Sequence, residues 1–336
     1  MKIIKNTNHL ILLKAAKKLG LKTKIISHDP VKIEYSSKSK THLISQKSFG
    51  LNSEQPRQIS KDKALALQTL ALNNLPTPRH VTVSSPQNYQ DVDFPFPQVI
   101  KPSTGEKGKH VYLNIKNIIQ GQEAVEQILS HYPEAQIETY HQGNDYRFLC
   151  LNFKLIGIAQ RLPPTITGDG QNTIKQLIET ENQHRFNQNK KLGRRMLNRM
   201  RNWTRLDFNL NLQGLSLQAV LLKNKTITLY PIPNFSTGGS VKAIDPKTIH
   251  PSIVNLAETT AKTIGLNICG IDMIIKPSTN SSGVDTPESK NSLQDLPSEC
   301  WVIEVNSDPG LRLHDWPNQG KSQHVAEAIL QSIFNI

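Results

Sequence analysis

The chain has 336 residues, enough for two or three domains around separate cores. Its hydrophobic content of 37% suits a globular chain and not a disordered one, and no apolar run approaches a membrane-spanning length. A formal charge of +13 points to anionic partners: nucleic acid, a membrane surface, or small anions such as nucleotides and acidic amino acids.

The first twenty residues hold one short apolar run, LILL, soon followed by lysines, with no small-residue cleavage pattern, so no secretory signal is expected. Helical periodicity over residues 10 to 20 ends at Gly20, a good residue just past a helix end, and KTKIIS reads as a strand. These form a small N-terminal α/β unit, 1–58. Ser60 is the expected N-cap of a helix through KDKALALQTLALNN, which LPTPRH stops before the strand VTV. The strand FPQVIKP, the loop STGEKGK, the strand HVYLNI and a helix around EAVEQILSHY complete a second unit, 59–136.

From residue 137 the pattern changes to strands at IETY, YRFLCLN, KLIGIAQR, LQAVLLK and TITLYPI, with helices at TIKQLIETEN, SIVNLAETTAKTIG and HVAEAILQSIF. Helices set against mainly adjacent strands predict an α+β fold with an antiparallel sheet, and the third unit runs over 137–336. The polar stretch PSTNSSGVDTPESKNSLQDLPSE reads as a mobile loop insertion. Cys150, Cys269 and Cys300 are far apart, odd in number and set in apolar runs, which fits reduced, buried thiols in a cytoplasmic protein.

Much of the positive charge sits in NKKLGRRMLNRMRNWTRLDF. If helical, this stretch puts Leu192, Met196, Met200 and Trp203 on one face and Arg194, Arg201 and Arg205 off it. A solvated face over an apolar stripe and an anion-binding cap both fit. No recognised DNA- or RNA-binding motif accompanies the charge, so nucleic acid is not an expected partner.

Two patterns carry chemistry. In VIKPSTGEKGKHVYL a lysine ends one strand, and a loop with two glycines leads to the next. Glycines let backbone N–H groups approach phosphate oxygens, while Lys101, Lys107 and Lys109 supply charge. The loop is not a Walker A motif, and taken alone it also reads as an ordinary hairpin. The second pattern is acidic: Asp272 lies in GLNICGIDMIIKP, and Glu304 and Asn306 lie in CWVIEVNSDPG, where alternation puts the acid and amide on one face and Ile303 and Val305 on the other. Buried oxygen donors of this kind are costly unless a cation neutralises them. Hard oxygen ligands few in number suit Mg²⁺, with room for waters and substrate phosphates. Two ions roughly 3.5–4 Å apart sharing Glu304 would clamp a transferring phosphoryl group.

VIKPSTGEKGK, ETYHQGNDYRFL, RLPPTITGDGQNTIKQLIETEN, NFSTGGS, GLNICGIDMII and VIEVNSDPGLRLH, in that order, resemble the ATP-grasp superfamily, and within it the modules of cyanophycin synthetase and bifunctional glutathione synthetase. The resemblance implies a pre-ATP-grasp domain followed by two α+β lobes holding ATP. It implies transfer of the γ-phosphoryl group to a carboxylate and attack by an amine on the acyl phosphate, giving an amide, ADP and phosphate. By the motifs, Asp272, Glu304 and Asn306 become Mg²⁺ ligands, and Lys101 and Lys63 become phosphate lysines. The loop with Ser103, Thr104, Gly105, Lys107 and Gly108 closes over the phosphates. Glu138 takes the adenine amino group, Thr139, Tyr140 and His141 form the hinge, and Asp145 takes the ribose. Arg161 and Asn234 match positions that hold the transferred phosphoryl and the acyl phosphate, although taken alone they also read as a surface ion-pair residue and a turn residue. Arg147 and His314 recur in the motifs, where substrate contact and strand pairing explain them equally.

The resemblance thus implies an ATP- and Mg²⁺-dependent carboxylate–amine ligase acting on amino acids or short peptides, glutathione-synthetase-like or dipeptide-forming. The alternatives are cyanophycin-like polymer elongation and a non-catalytic nucleotide-binding protein whose basic segment holds an anion. No membrane partner is expected, and a homo-oligomer is compatible with the sequence. HRFNQNKKLGRRMLNRMRN replaces the turn expected after LIETEN, so neither glutathione nor cyanophycin is taken as the product.

Overall fold

Among the residues that the computed structural model describes (6–45, 48–104, 110–192, 197–200, 203–211, 213–233, 235–276 and 299–336), the strands form four sheets, antiparallel throughout. Helix α1 (Thr7–Lys18) starts where Asn6 accepts a hydrogen bond from the His9 N–H, and ends where Gly20 turns left-handed (φ 70°). Strands β1 (Lys22–His28), β2 (Val31–Ser36) and β3 (Thr41–Ser45) follow as a meander. Val31, Ile33 and Tyr35 on alternate positions of β2 are buried against Ile11, Leu12 and Ala16 of α1.

Next come α2 (Glu54–Lys61) and α3 (Lys63–Leu72). Ser60 is not the N-cap expected from the sequence: it lies in the last turn of α2, where its hydroxyl donates to the Arg57 carbonyl (2.9 Å). The cap of α3 is Asp62, which accepts from the Leu65 N–H at 3.0 Å. Then follow β4 (His80–Val83), α4 (Pro86–Gln90), β5 (Gln98–Pro102), β6 (Tyr112–Ile115), α5 (Ile118–Leu129) and β7 (Ala135–Thr139), with sheet order β4-β7-β5-β6. One face of this sheet, with Ile100, Ala135 and Ile137, packs on Val125 and Ile128 of α5. β7 runs across the 136/137 boundary expected from the sequence and is the strand between β4 and β5.

The rest comprises β8 (Asn144–Leu151), β9 (Lys154–Leu162), β10 (Thr165–Thr167), α6 (Ile174–Lys191), α7 (Trp203–Asn211), β11 (Thr226–Thr228), β12 (Ser240–Ile244), α8 (Pro251–Ile264), β13 (Ile268–Ile275), β14 (Cys300–Asn306), α9 (Arg312–Asp315) and α10 (Val325–Phe334). The central sheet has the order β12-β9-β8-β13-β14. One of its faces, with Phe148, Ile271, Met273, Val302 and Val305, is buried under Ile253, Ala257 and Ala261 of α8. Cys150 and Cys269 are buried free thiols and Cys300 is half-buried. Helix α10 returns to the N-terminal unit, where Val325, Ile329 and Leu330 complete the core of α1 and β2.

Two sequence expectations fail around the satellite core of β10, β11, α6 and α7. LQAVLLK is not a strand, because its backbone caps a helix: the Leu217 and Ala219 carbonyls accept from the Lys175 and Ile174 N–H groups, which have no intrahelical partner. No single helix carries the 190–205 stripe either. α6 ends at Lys191, Leu192 is exposed, Met200 is buried, and α7 starts only at Trp203. Met196 and most of the polar insertion, residues 277–298, lie outside the described residues. Among the described residues no helix is long and apolar enough to cross a membrane.

Candidate active site

Strand β7 leads through residues 140–143 directly into β8, so two sheets with polar faces meet at this hinge. On the smaller sheet the face away from α5 carries Lys101, Gln136 and Glu138, each less than a tenth exposed. Register explains the cluster, since Lys101 lies opposite Gln136 and Gln136 shares a face with Glu138. Lys101 Nζ is 2.6 Å from Glu138 Oε1, and Gln136 Nε2 donates to the same oxygen at 2.8 Å. Gln136 Oε1 is buried without a hydrogen-bond partner. At the hinge the N–H groups of Thr139 and Tyr140 donate to the Arg79 and Pro97 carbonyls. His141 stacks on Trp301 of β14, centroids 3.8 Å apart, an aromatic pair that sequence reasoning missed because its members lie 160 positions apart. Ser103 is buried and its N–H donates to Glu134 O, and Thr104 is exposed; Gly105, Lys107 and Gly108 lie outside the described residues.

On the central sheet, the face opposite α8 carries a row of alternating charge. Asp145 pairs in register with Arg161, and Arg147 with Asp272. Arg161 donates to Asp145 from Nε (2.6 Å) and Nη2 (2.9 Å), and its Nη2 is also 3.1 Å from Asp272 Oδ2. Arg147 grips both oxygens of Asp272, through Nε and through Nη2 at 2.8 Å. Burial alone would push the Asp272 carboxyl up, but Arg147 and Arg161 outweigh it and hold it below the usual carboxylate range. Gly270 makes this grip possible, because a Cβ there would come within 2.9 Å of the Arg147 side chain.

Across β13, Asp272 faces Glu304, and Gly270 faces Asn306. The strand alternation read from the sequence needs one correction: the register slips between Asp272 and Met273, so Ile303 is an extra residue on β14. This bulge lets Val302 and Val305, three apart, both enter the core, and leaves Ile303 half-exposed where burial with Val305 was expected. Glu304 stays on the polar face, 4.0 Å from Lys63 Nζ at the start of α3. Asn306 Nδ2 is buried with no hydrogen-bond partner. The turn beyond is held from the N-terminal unit: Asn52 Nδ2 donates to the Ile268 and Ser307 carbonyls (2.7 and 2.9 Å), and Arg57 Nη2 is 3.0 Å from Asp308. Arg161 therefore joins the acidic row, while Asn234 lies outside the described residues.

The chain is 22% identical to the crystal structure of a bifunctional glutathione synthetase from Pasteurella multocida, with a TM-score of 0.64 over 96% of this chain and 43% of that one. The chain has the ATP-grasp fold. Among curated proteins, a cyanophycin synthetase of Geminocystis herdmanii is 32% identical over 290 residues, 82% of this chain and 30% of that protein. A glutathione biosynthesis bifunctional protein of Mannheimia succiniciproducens is 28% identical over 240 residues, 70% of this chain and 30% of that protein. The chain thus spans under a third of the length of these relatives. No family model matches it.

On this ATP-grasp fold the acidic edge fits magnesium. Asp272, Glu304 and Asn306 offer hard oxygen donors from two paired strands, the Asn306 donor being its side-chain carbonyl oxygen. Among the described residues no three acidic, His or Cys side chains gather into a metal cage. Two carboxylates and an amide suit an ion that keeps waters and takes phosphate oxygens. A further residue lies close by: His314 is fully buried, its Nδ1 2.9 Å from Gln323 Oε1. Gln323 Nε2 donates to the Ile158 and Ile244 carbonyls, so Oε1 accepts and Nδ1 carries the proton. Nε2 is left as a buried acceptor without a partner, and burial lowers the ring to about 4.

Proposed function

We propose that the protein is an ATP- and Mg²⁺-dependent carboxylate–amine ligase that joins an amino acid or short peptide to an amino acid through an acyl phosphate, releasing ADP and phosphate. A single dipeptide-forming or glutathione-synthetase-like ligation is favoured. One observation carries the reading: an acidic edge of Asp272, Glu304 and Asn306 lies beside the Arg147 and Arg161 guanidinium groups, with Lys63 reaching the same edge. Cations and oxygen donors in one place suit a polyphosphate with its metal.

In this reading Asp272, Glu304 and Asn306 would hold the magnesium, expected as two ions. When bound, the metal neutralises charge on the phosphate oxygens. Lys101 and Lys63 neutralise the phosphates, and Glu138 accepts from the adenine amino group beside the His141 hinge. Asp145 serves the ribose hydroxyl while steadying Arg161, which balances charge growing on the transferred group; phosphoryl transfer rests mainly on such positioning and neutralisation. Asn234 orients the acyl phosphate, the loop from Ser103 to Gly108 covers the phosphates, and the amine attacks with loss of phosphate. The three units 1–58, 59–136 and 137–336 act as pre-ATP-grasp domain, phosphate lobe and metal lobe.

Purified protein incubated with ATP, Mg²⁺ and pooled amino acids and short peptides is expected to release ADP only when both a carboxylate and an amine are present. Mass spectrometry should find one condensation product; a ladder of masses would indicate elongation instead. Persistent inactivity across the panel despite ATP binding overturns the reading. Glu304→Ala should abolish turnover, and a fully active variant would remove the metal assignment.

A further inference from the structure

One buried group on the polar face of the smaller sheet is spare. Strand alternation puts Ala135 and Ile137 on the α5 side of β7, and Gln136 and Glu138 on the other. Lys101 Nζ, 2.6 Å from Glu138 Oε1, balances the charge of the cluster. Gln136 Nε2 donates to the same oxygen at 2.8 Å. A carboxylate paired with a lysine only accepts, so the amide nitrogen of Gln136 is the atom that faces it and the carbonyl oxygen is turned away. That oxygen is buried and, among the described residues, takes no hydrogen bond, although Lys101 lies directly opposite Gln136 in register.

A buried carbonyl without a donor is costly, and a partner that arrives with a ligand removes the cost. The chemistry of that partner is constrained. It donates a hydrogen bond, because Gln136 Oε1 only accepts. It is uncharged, because Lys101 and Glu138 already cancel and a second cation would be buried without a counter-charge. It carries a second proton wherever it also meets Glu138, the carboxylate that Gln136 itself bonds. The 6-amino group of adenine meets all three conditions, with one N–H for each oxygen, whereas the 6-oxo group of guanine or hypoxanthine would bring a further acceptor to two acceptors.

We propose that Gln136 is a specificity-determining residue for the nucleotide: its Oε1 accepts one proton of the adenine 6-amino group while Glu138 accepts the other, so that 6-amino purines are taken and 6-oxo purines refused. This assignment rests on the ligase reading, which puts the adenine amino group at Glu138.

Calorimetry in Mg²⁺ with three nucleoside diphosphates tests it: ADP, purine riboside diphosphate, which has hydrogen in place of the amino group, and IDP, which has the 6-oxo group. The wild-type chain should bind ADP about a hundredfold more tightly than purine riboside diphosphate, about tenfold for each of two hydrogen bonds, and should bind IDP no better than the latter. In Gln136→Leu and Gln136→Met the preference for ADP should fall to about tenfold. Each preference is a ratio of affinities on one preparation, so partial unfolding of a variant cancels. A glutamine that only held Glu138 in place would lose its effect once Glu138 was gone. In the Glu138→Ala background Gln136→Leu should therefore still remove about tenfold of the preference. A preference undiminished in both Gln136 variants, IDP bound as tightly as ADP, or no effect of Gln136→Leu in the Glu138→Ala background overturns the proposal. The two readings fail separately. A preference that Glu138→Ala lowers and Gln136→Leu does not sinks the role of Gln136 alone, and Gln136-dependent selection of ADP without turnover across the panel of carboxylates and amines sinks the ligase reading alone.

Discussion

The two polar faces that meet at the β7–β8 hinge balance their charge differently. On the smaller sheet one lysine, Lys101, neutralises one buried acid, Glu138, and among the described residues Gln136 is the other side chain that bonds this carboxylate. On the central sheet Asp145, Arg161, Asp272 and Arg147 share their charges along a row, so that Asp272 has two guanidinium partners. Each face is therefore fragile in a different way. Removing one member of a buried pair strands a charge, whereas a row can pass the load to a neighbour. Lys101→Met is therefore expected to cost about 3–5 kcal/mol of stability in urea unfolding, and Arg147→Met about half of that, because Arg161 stays on Asp272. The double variant Lys101→Met/Glu138→Leu should recover most of the first loss. Equal losses for the two single variants would show that Arg161 does not take up the charge of Asp272.

His314 gives the central sheet a pH dependence. The ring lies near the Arg147 end of the row and is held neutral, its value lowered to about 4 chiefly by burial, with Arg147 adding to the effect and Gln323 opposing it. In the unfolded chain the imidazole takes its proton near pH 6.5, well before the folded ring does. The folded state is thus at full strength above about pH 6.5 and weakens as pH falls from there toward 4, by roughly 2–3 kcal/mol in all. Denaturation midpoints measured across this window should show the slope, and His314→Gln should flatten it. A wild-type chain equally stable at pH 4.5 and 7 would remove the buried, neutral histidine.

Much of this was legible in the sequence, and the failures have physical causes. Hydrophobic alternation located β5, β7, β8, β9, β13 and β14, and the acid and amide of VIEVN stood out because apolar neighbours make their burial costly. The pairing of Asp272 with Glu304 followed from two such strands lying side by side. The bulge at Ile303 was not legible, since an extra residue leaves the local pattern of apolar side chains intact. Nor were the His141–Trp301 stack, the second guanidinium on Asp272, or the tautomer that Gln323 imposes on His314, which depend on contacts between distant segments. In the basic stretch, the apolar spacing fits one helical face, yet at Leu197 and Met200 side-chain amides of α6 take the backbone hydrogen bonds instead.

A weaker effect is expected at Lys63, which reaches from α3 to Glu304 on β14. Lys63 is the first residue of α3, so the direction of its side chain is set by how that helix begins, and the cap is Asp62 and not the Ser60 that the sequence suggested. Asp62→Ala removes the hydrogen bond to the Leu65 N–H and should cost about 1 kcal/mol. Fraying of the first turn would loosen Lys63 from Glu304, 4.0 Å away, without touching the row of Asp145, Arg161, Asp272 and Arg147. Nucleotide affinity is therefore expected to fall a few-fold in Asp62→Ala while the pH slope from His314 stays intact, and Asp62→Asn, which keeps the capping oxygen, should restore it. Affinity unchanged in the alanine variant would show that the lysine holds its place beside Glu304 without the cap.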